Sequence, residues 1–238
     1  MGVKAVIFDK DGTLMDFESF WVTVSRYAIE EIKSKTGFTS VPVEEALLAL
    51  DVVDGIANIN GILAQDPFNV MGKALCNCFK KYGCTLTPEQ MTELTVSAYH
   101  GNIDKGKIAP ACNNIASVME RLKEMGIILA VVTTDDPYDT EKCLKALGIR
   151  EFFDAVYTDD GINPTKPDSF AAEELCLRFN LTKGQVIMVG DTMNDVRFAR
   201  NSGIKAVAVA KNENNANILR KEADIVLHDI SELFRVID

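Results

Sequence analysis

The chain is 238 residues long, 47% hydrophobic and 25% charged, with a formal net charge of -10. That balance suits a sizeable core and a second smaller one, and it excludes a disordered chain, a collagen-like repeat and a coiled coil. The 25 basic residues against 35 acidic ones repel nucleic acid and anionic lipid, whose binding depends on Lys and Arg neutralising phosphates. Neither is expected as a partner, and an anionic small ligand needs a local cation or oriented N–H groups to overcome the same field. The longest apolar stretch, residues 126–132, is far short of the roughly 18 to 20 residues of a membrane-spanning helix, and no signal-peptide pattern opens the chain. A cytoplasmic protein is expected. Cys76, Cys78, Cys84, Cys112, Cys143 and Cys176 lie in apolar or helical stretches with no CxxC pair, in a chain whose histidines are His100 and His228. They read as reduced, buried thiols rather than as zinc ligands or disulfides.

In chain order, Val3, Ala5, Val6, Ile7 and Phe8 form a nearly continuous apolar run. It is too short for a helix and lacks alternation, which predicts a strand covered on both faces and ending at Asp9. From Leu14 to about Ile108 the pattern changes, with amphipathic segments over 20–35, 43–53, 67–82 and 88–99 and no convincing strand among them. Residues 16–108 therefore read as an all-helical insertion, leaving through the polar, glycine-containing stretch 101–106 as a hinge. Beyond it, helices are predicted over 110–125, 140–147 and 167–179, the first two stopping at Gly126 and Gly148 and the third following a proline start. Strands are predicted over 127–132, 155–157, 186–189, 206–210 and 225–227. This alternation predicts an α/β, Rossmann-like core of residues 1–15 and 109–238, a parallel sheet with helices on both faces.

Ligands of an open parallel sheet bind at the carboxyl ends of its strands, and the residues there are unusually polar. Asp9, Lys10, Asp11, Gly12 and Thr13 follow the first strand; Thr133, Thr134, Asp135 and Asp136 follow Val132. Asp159, Asp160 and, before Pro167, Lys166 come next; Gly190, Asp191, Thr192, Met193, Asn194 and Asp195 follow Val189. Alternation puts Asp9 and Asp11 on one side with Lys10 pointing away, and Gly12 allows a sharp turn that exposes N–H groups. Two neighbouring carboxylates need a counter-ion. If Asp191 and Asp195 converge on them, the set is an oxygen-only site for a hard divalent ion, Mg2+ being the natural choice. That ion and Lys166 would supply the positive field the acidic chain lacks.

The segments Asp9-Lys10-Asp11-Gly12-Thr13-Leu14, Thr133 after an apolar strand, Lys166-Pro167 and Gly190-Asp191-Thr192-Met193-Asn194-Asp195 resemble the four ordered motifs of the haloacid dehalogenase superfamily of phosphohydrolases. The helical insertion between the first two motifs is similar to the cap of its phosphoglycolate phosphatase and beta-phosphoglucomutase branch. The resemblance implies a magnesium-dependent phosphatase acting on a small phosphorylated metabolite, phosphoglycolate-like or a sugar phosphate, through an aspartyl-phosphate. By it Asp9 is the nucleophile and Asp11 the general acid and later base, helped by apolar, cap-closed surroundings that raise its pKa. Thr133 and N–H groups near Gly12 and Thr134 would hold phosphate oxygens, with Lys166 offsetting their charge. Asp9, the carbonyl of Asp11 and Asp191 would bind Mg2+, with Asp195 a ligand or one shell out.

Lys10 departs from the apolar residue common in this branch, and Thr133-Thr134 from its usual Thr-Asn. Lys10 reads as structural or solvated. Asp135, Asp136, Asp159 and Asp160 read as loop and helix-start carboxylates, with Asp159 or Asp160 able to support Lys166. Phe20 and Trp21 read as packing, and the loop 54–66, with Asn58 and Asn60, as a reader of the leaving group. The alternatives are a phosphomutase of the beta-phosphoglucomutase type and a phosphate-binding module without turnover. Against the module, a mere binder has no need of a paired nucleophile and acid.

Overall fold

The structure, a computed structural model, describes residues 2–237. Its strands are β1 (Ala5–Phe8), β2 (Val52–Val53), β3 (Ile56–Ala57), β4 (Ile128–Val132), β5 (Ala155–Tyr157), β6 (Val186–Gly190), β7 (Lys205–Val209) and β8 (Ile225–Leu227). Six of them form one sheet in the order β5-β4-β1-β6-β7-β8, every pairing parallel. Val6, Phe8, Leu129, Val131, Ile187, Val189 and Val207 belong to one apolar cluster with Ile115, Met119 and Leu122 of the helix Ile115–Glu124. The alternating residues Ala5, Ile7, Ala130, Met188, Ala206 and Ala208 are equally buried, and the helix Met193–Ser202 packs on β6 and β7. Both faces are covered, which is why the strands read as unbroken apolar runs.

The chain divides into two compact units, Met1–Asp16 with Ile108–Asp238, and Phe17–Lys107. The second unit has its own core, with Ile29, Ile32, Leu47, Leu75, Phe79, Met91 and Tyr99 fully buried. Its principal helices are Thr23–Thr36, Val43–Leu48, Phe68–Lys80 and Pro88–Asn102. Gly72 lets two of them approach closely, because a Cβ there would collide with Thr92. The buried Tyr99 hydroxyl donates to Ser25 Oγ at 2.7 Å, which donates to the Trp21 carbonyl at 2.7 Å. This chain satisfies polar groups that would otherwise be costly to bury. Phe20 and Trp21 meet edge to face at 5.1 Å.

Several boundaries differ from expectation. The helix expected from residue 110 starts at Ile115, because 109–111 runs beside the loop after β1: Asp16 N donates to Ala109 O at 2.8 Å and Ala111 N to Leu14 O at 2.9 Å. The helix expected from 167 starts at Phe170, after Asp168 Oδ1 accepts Phe170 N at 2.9 Å in a local turn. The helix expected from 140 starts earlier, at Pro137, since Asp136 Oδ1 caps Tyr138 N at 2.8 Å and Asp139 N at 3.0 Å. Helical structure expected through 53 stops at Leu48, and β2 and β3 form an antiparallel ribbon turned by Asp54 and Gly55, both at positive φ. The expected hinge at 101–106 is the end of a helix followed by a 3-10 turn. Asn102 is buried there, its Nδ2 donating to Glu31 Oε2 at 2.6 Å and to Ala98 O at 2.8 Å. All six cysteines are unpaired and five are buried. Among the described residues no helix is long and apolar enough to cross a membrane.

Candidate active site

Because β4, β1 and β6 are neighbours, Thr133, Asp9 and Asp191 follow adjacent strand ends. Asp9 N donates to Val189 O at 2.9 Å, so the ladder continues to the first acidic residue. The chain then folds back on itself, Leu14 N and Met15 N both donating to Lys10 O at 2.9 Å. Gly12 has a φ of 78° and faces Asp191, whose carboxylate a Cβ would strike. Its N–H donates to Met15 O at 2.7 Å. The Gly12 N–H itself is therefore engaged within the loop. Thr13 Oγ1 donates to Asp191 Oδ1 at 3.2 Å.

Lys166, almost wholly buried, donates from Nζ to Asp9 Oδ1 and, at 2.6 Å, to Asp195 Oδ1. Asp195 Oδ2 accepts Thr192 N at 3.0 Å and Thr192 Oγ1 at 2.7 Å, so this carboxylate both starts the helix Met193–Ser202 and anchors the lysine. Oxygens of Asp9, Asp191 and Asp195 lie within 4.8 Å of one another. The carboxyl of Asp11, fourth in the expected metal set, belongs to a different group: Lys10 Nζ lies 2.7 Å from Asp11 Oδ1 and 2.8 Å from Asp135 Oδ2. Lys10 is 3% exposed, which corrects a solvated reading. Asp135 is this ammonium's second partner rather than a bare loop carboxylate. The signal that could have found it is a lysine without an evident partner at the end of an apolar strand.

Thr133 is buried, its N donating to Tyr157 O at 3.0 Å and its Oγ1 accepting from Asp135 N at 3.2 Å, whereas Thr134 is exposed. Asp160 Oδ1 accepts Ile162 N and Asn163 N, each at 2.9 Å, and Asp159 Oδ1 accepts Gly161 N at 3.1 Å. Lys166 is therefore supported by Asp9 and Asp195 and not by this turn.

Five carboxylates here share two ammonium groups, four of them in direct ion pairs and Asp191 beside Asp9 and Asp195. Burial pushes the Asp9 carboxyl up to about 7, against the pull of Lys166. Burial, with Asp9 and Asp195 beside it, raises Asp191 well above the usual carboxylate range. Asp11 is raised by burial although Lys10 opposes it. Burial acts to lower both lysines, but the adjoining carboxylates prevail and hold them protonated. Excess negative charge in a poorly solvated oxygen-only cluster is the chemistry of a hard divalent cation site. The donor set of Asp9 and Asp191, backed by Asp195, fits Mg2+.

Fold and site define an α/β protein with a cluster of acidic side chains at the carboxyl edge of a parallel sheet, the edge where ligands of such sheets bind. Within that class the chain belongs to the haloacid dehalogenase-like hydrolases, whose family model matches residues 3–203. Pyrophosphatase PpaX of Halalkalibacterium halodurans is 25% identical over 240 residues, covering 100% of this chain and 98% of that protein. Phosphoglycolate phosphatase of Mannheimia succiniciproducens is 28% identical over 237 residues, covering 98% of each. A solved subfamily IA hydrolase of the same superfamily, from Geobacter sulfurreducens, aligns over 100% of this chain and 98% of its own with a TM-score of 0.67 at 17% identity.

Proposed function

We propose that the protein is a magnesium-dependent phosphatase of a small phosphorylated metabolite. One observation carries the reading: at the tip of β1, Asp9 stands against Lys166 and among Asp191 and Asp195, while Asp11, two residues on, belongs to a separate ion network. In this reading Asp9 attacks phosphorus, forming an aspartyl-phosphate as the bond to the leaving oxygen breaks. Asp11 gives its proton to that oxygen and later takes one from the water that releases phosphate. Lys166 steadies Asp9 and offsets the charge of the phosphoryl oxygens, which the Thr133 hydroxyl and N–H groups of the loop around Thr134 would help to hold. Asp9, the Asp11 carbonyl and Asp191 would hold Mg2+, with Asp195 holding Lys166 in place behind them. The ion, when bound, supplies the positive charge that lets an anionic substrate enter an acidic site.

The catalytic role is assigned to the unit of residues 1–16 and 108–238, and substrate selection to the unit 17–107. The unpaired cysteines suit a cytoplasmic enzyme. Phosphoglycolate and sugar phosphates lead the substrates, and pyrophosphate joins them through the relatives' names. A panel of these compounds, assayed with magnesium and with EDTA, tests the reading. Release of inorganic phosphate only in the presence of magnesium is expected, and no turnover of any member would end it.

A further inference from the structure

Lys10 has a long, charged side chain that is almost completely withdrawn from water. An ammonium in that position is costly unless carboxylates surround it, and here two do. They are not equivalent. Asp11 stands two residues past the proposed nucleophile, whereas Asp135 lies on the loop after β4, part-exposed, and its oxygen is 2.8 Å from the same Nζ. One ammonium thus ties the loop after β1 to the loop after β4 while gripping Asp11 Oδ1. Rotation between χ1 wells swings an aspartate carboxyl by ångströms, and a misplacement of about 1 Å can cost roughly 10²-fold in rate. The charge of Asp135 offsets the ammonium, so the grip orients Asp11 without presenting it with a bare cation.

We propose that Lys10 is a positioning residue for the general acid: clamped by Asp135, it fixes one oxygen of Asp11 so that the other serves the leaving group. The inference rests on the phosphatase reading above. As the bond from Asp9 to phosphorus forms and the bond to the leaving oxygen breaks, the electron pair stays on that oxygen and the proton of Asp11 joins it. Lys10 keeps its own protons throughout and acts only through Asp11.

The test is leaving-group dependence, measured as kcat/KM, which reports the steps through departure of the alcohol. Phenyl phosphate and p-nitrophenyl phosphate are nearly the same shape. Phenolate is a strong base, its acid having a pKa of about 10, and needs a proton as it leaves; p-nitrophenolate needs one far less. With magnesium present, Lys10→Met is expected to lower kcat/KM for phenyl phosphate by about 10²-fold and for p-nitrophenyl phosphate by less than about 10-fold. Lys10→Arg should bring the ratio back toward that of the wild type. Asp135→Asn, at a part-exposed position, should widen the ratio in the same direction and decides the matter if Lys10→Met does not fold. Equal losses on both substrates, no loss on either, or an arginine variant no better than the methionine one would overturn the inference. Wild-type protein that hydrolyses neither these two esters nor any member of the metabolite panel would overturn the phosphatase reading and this one with it. Wild-type turnover with equal losses in the variants would sink this one alone.

Discussion

Asp9 and Asp11 are two residues apart, yet each has its own lysine and its own second carboxylate: Lys166 and Asp195 for one, Lys10 and Asp135 for the other. Separate networks let neighbouring groups of one chemical type take different jobs. Asp9→Asn and Asp191→Asn should each reduce turnover by at least about 10³-fold, and Asp11→Asn by about 10² to 10⁴-fold, in steady-state assays of the purified variants. Near wild-type turnover by Asp9→Asn would exclude the covalent route. A second expectation concerns metal-free protein. Folding raises the Asp9 pKa from 3.8 to about 7, so the folded state holds this proton more tightly than the unfolded one. The resulting stability is fully present below 3.8 and is lost as pH climbs through about 7. Thermal midpoints in EDTA should therefore fall from pH 5 to pH 8, and Asp9→Asn should make that fall shallower; an unchanged slope in the variant would place the effect elsewhere. The identity of these residues was legible because charged side chains end apolar runs. Their partners were not, because the reach of Lys10 to Asp135 and the Gly12 N–H bond to Met15 depend on a loop path that spacing does not encode.

At the scale of elements, the six sheet strands stand within about two residues of their predicted places, since burial on both faces leaves an unbroken apolar signature. Helix starts were less legible. Pro110 and Pro167 resemble first-turn prolines, but residues 109–111 pair with the loop after β1 and Pro167 precedes a turn closed by Asp168. Pro137 is a true first-turn proline, and the aspartate before it caps the helix. The ribbon went unrecognised although Val52-Val53-Asp54-Gly55-Ile56-Ala57 carries a hairpin's Asp-Gly turn, because its strands are only two residues long. Thr192 opens the helix behind β6 through two bonds to Asp195. Thr192→Ala removes the hydroxyl's bond and should destabilise the fold by about 1 kcal/mol in denaturant melts. A loss within error would mean that the backbone N–H bond alone suffices there.

For the molecule as a whole, the net charge of -10 makes cation binding an effect that ought to be seen in one unit. Asp9, Asp191 and Asp195 all belong to the unit of residues 1–16 and 108–238. Magnesium is expected to slow amide hydrogen exchange in β1 and β6 and to leave the helices Phe68–Lys80 and Pro88–Asn102 unchanged. Equal protection in both units would show that the ion acts elsewhere. The sheet order has a further consequence for biosynthesis. β1 lies between β4 and β6, so the strand that leads to Asp9 is made before both neighbours and lacks one until residue 132 and the other until residue 190 has followed. The contiguous helical unit 17–107 can collapse long before then, domains commonly folding as they emerge. The nascent chain thus carries an unpaired apolar strand at least until β4 has emerged, and assembly of the chemical centre waits for β6 and the residues behind it.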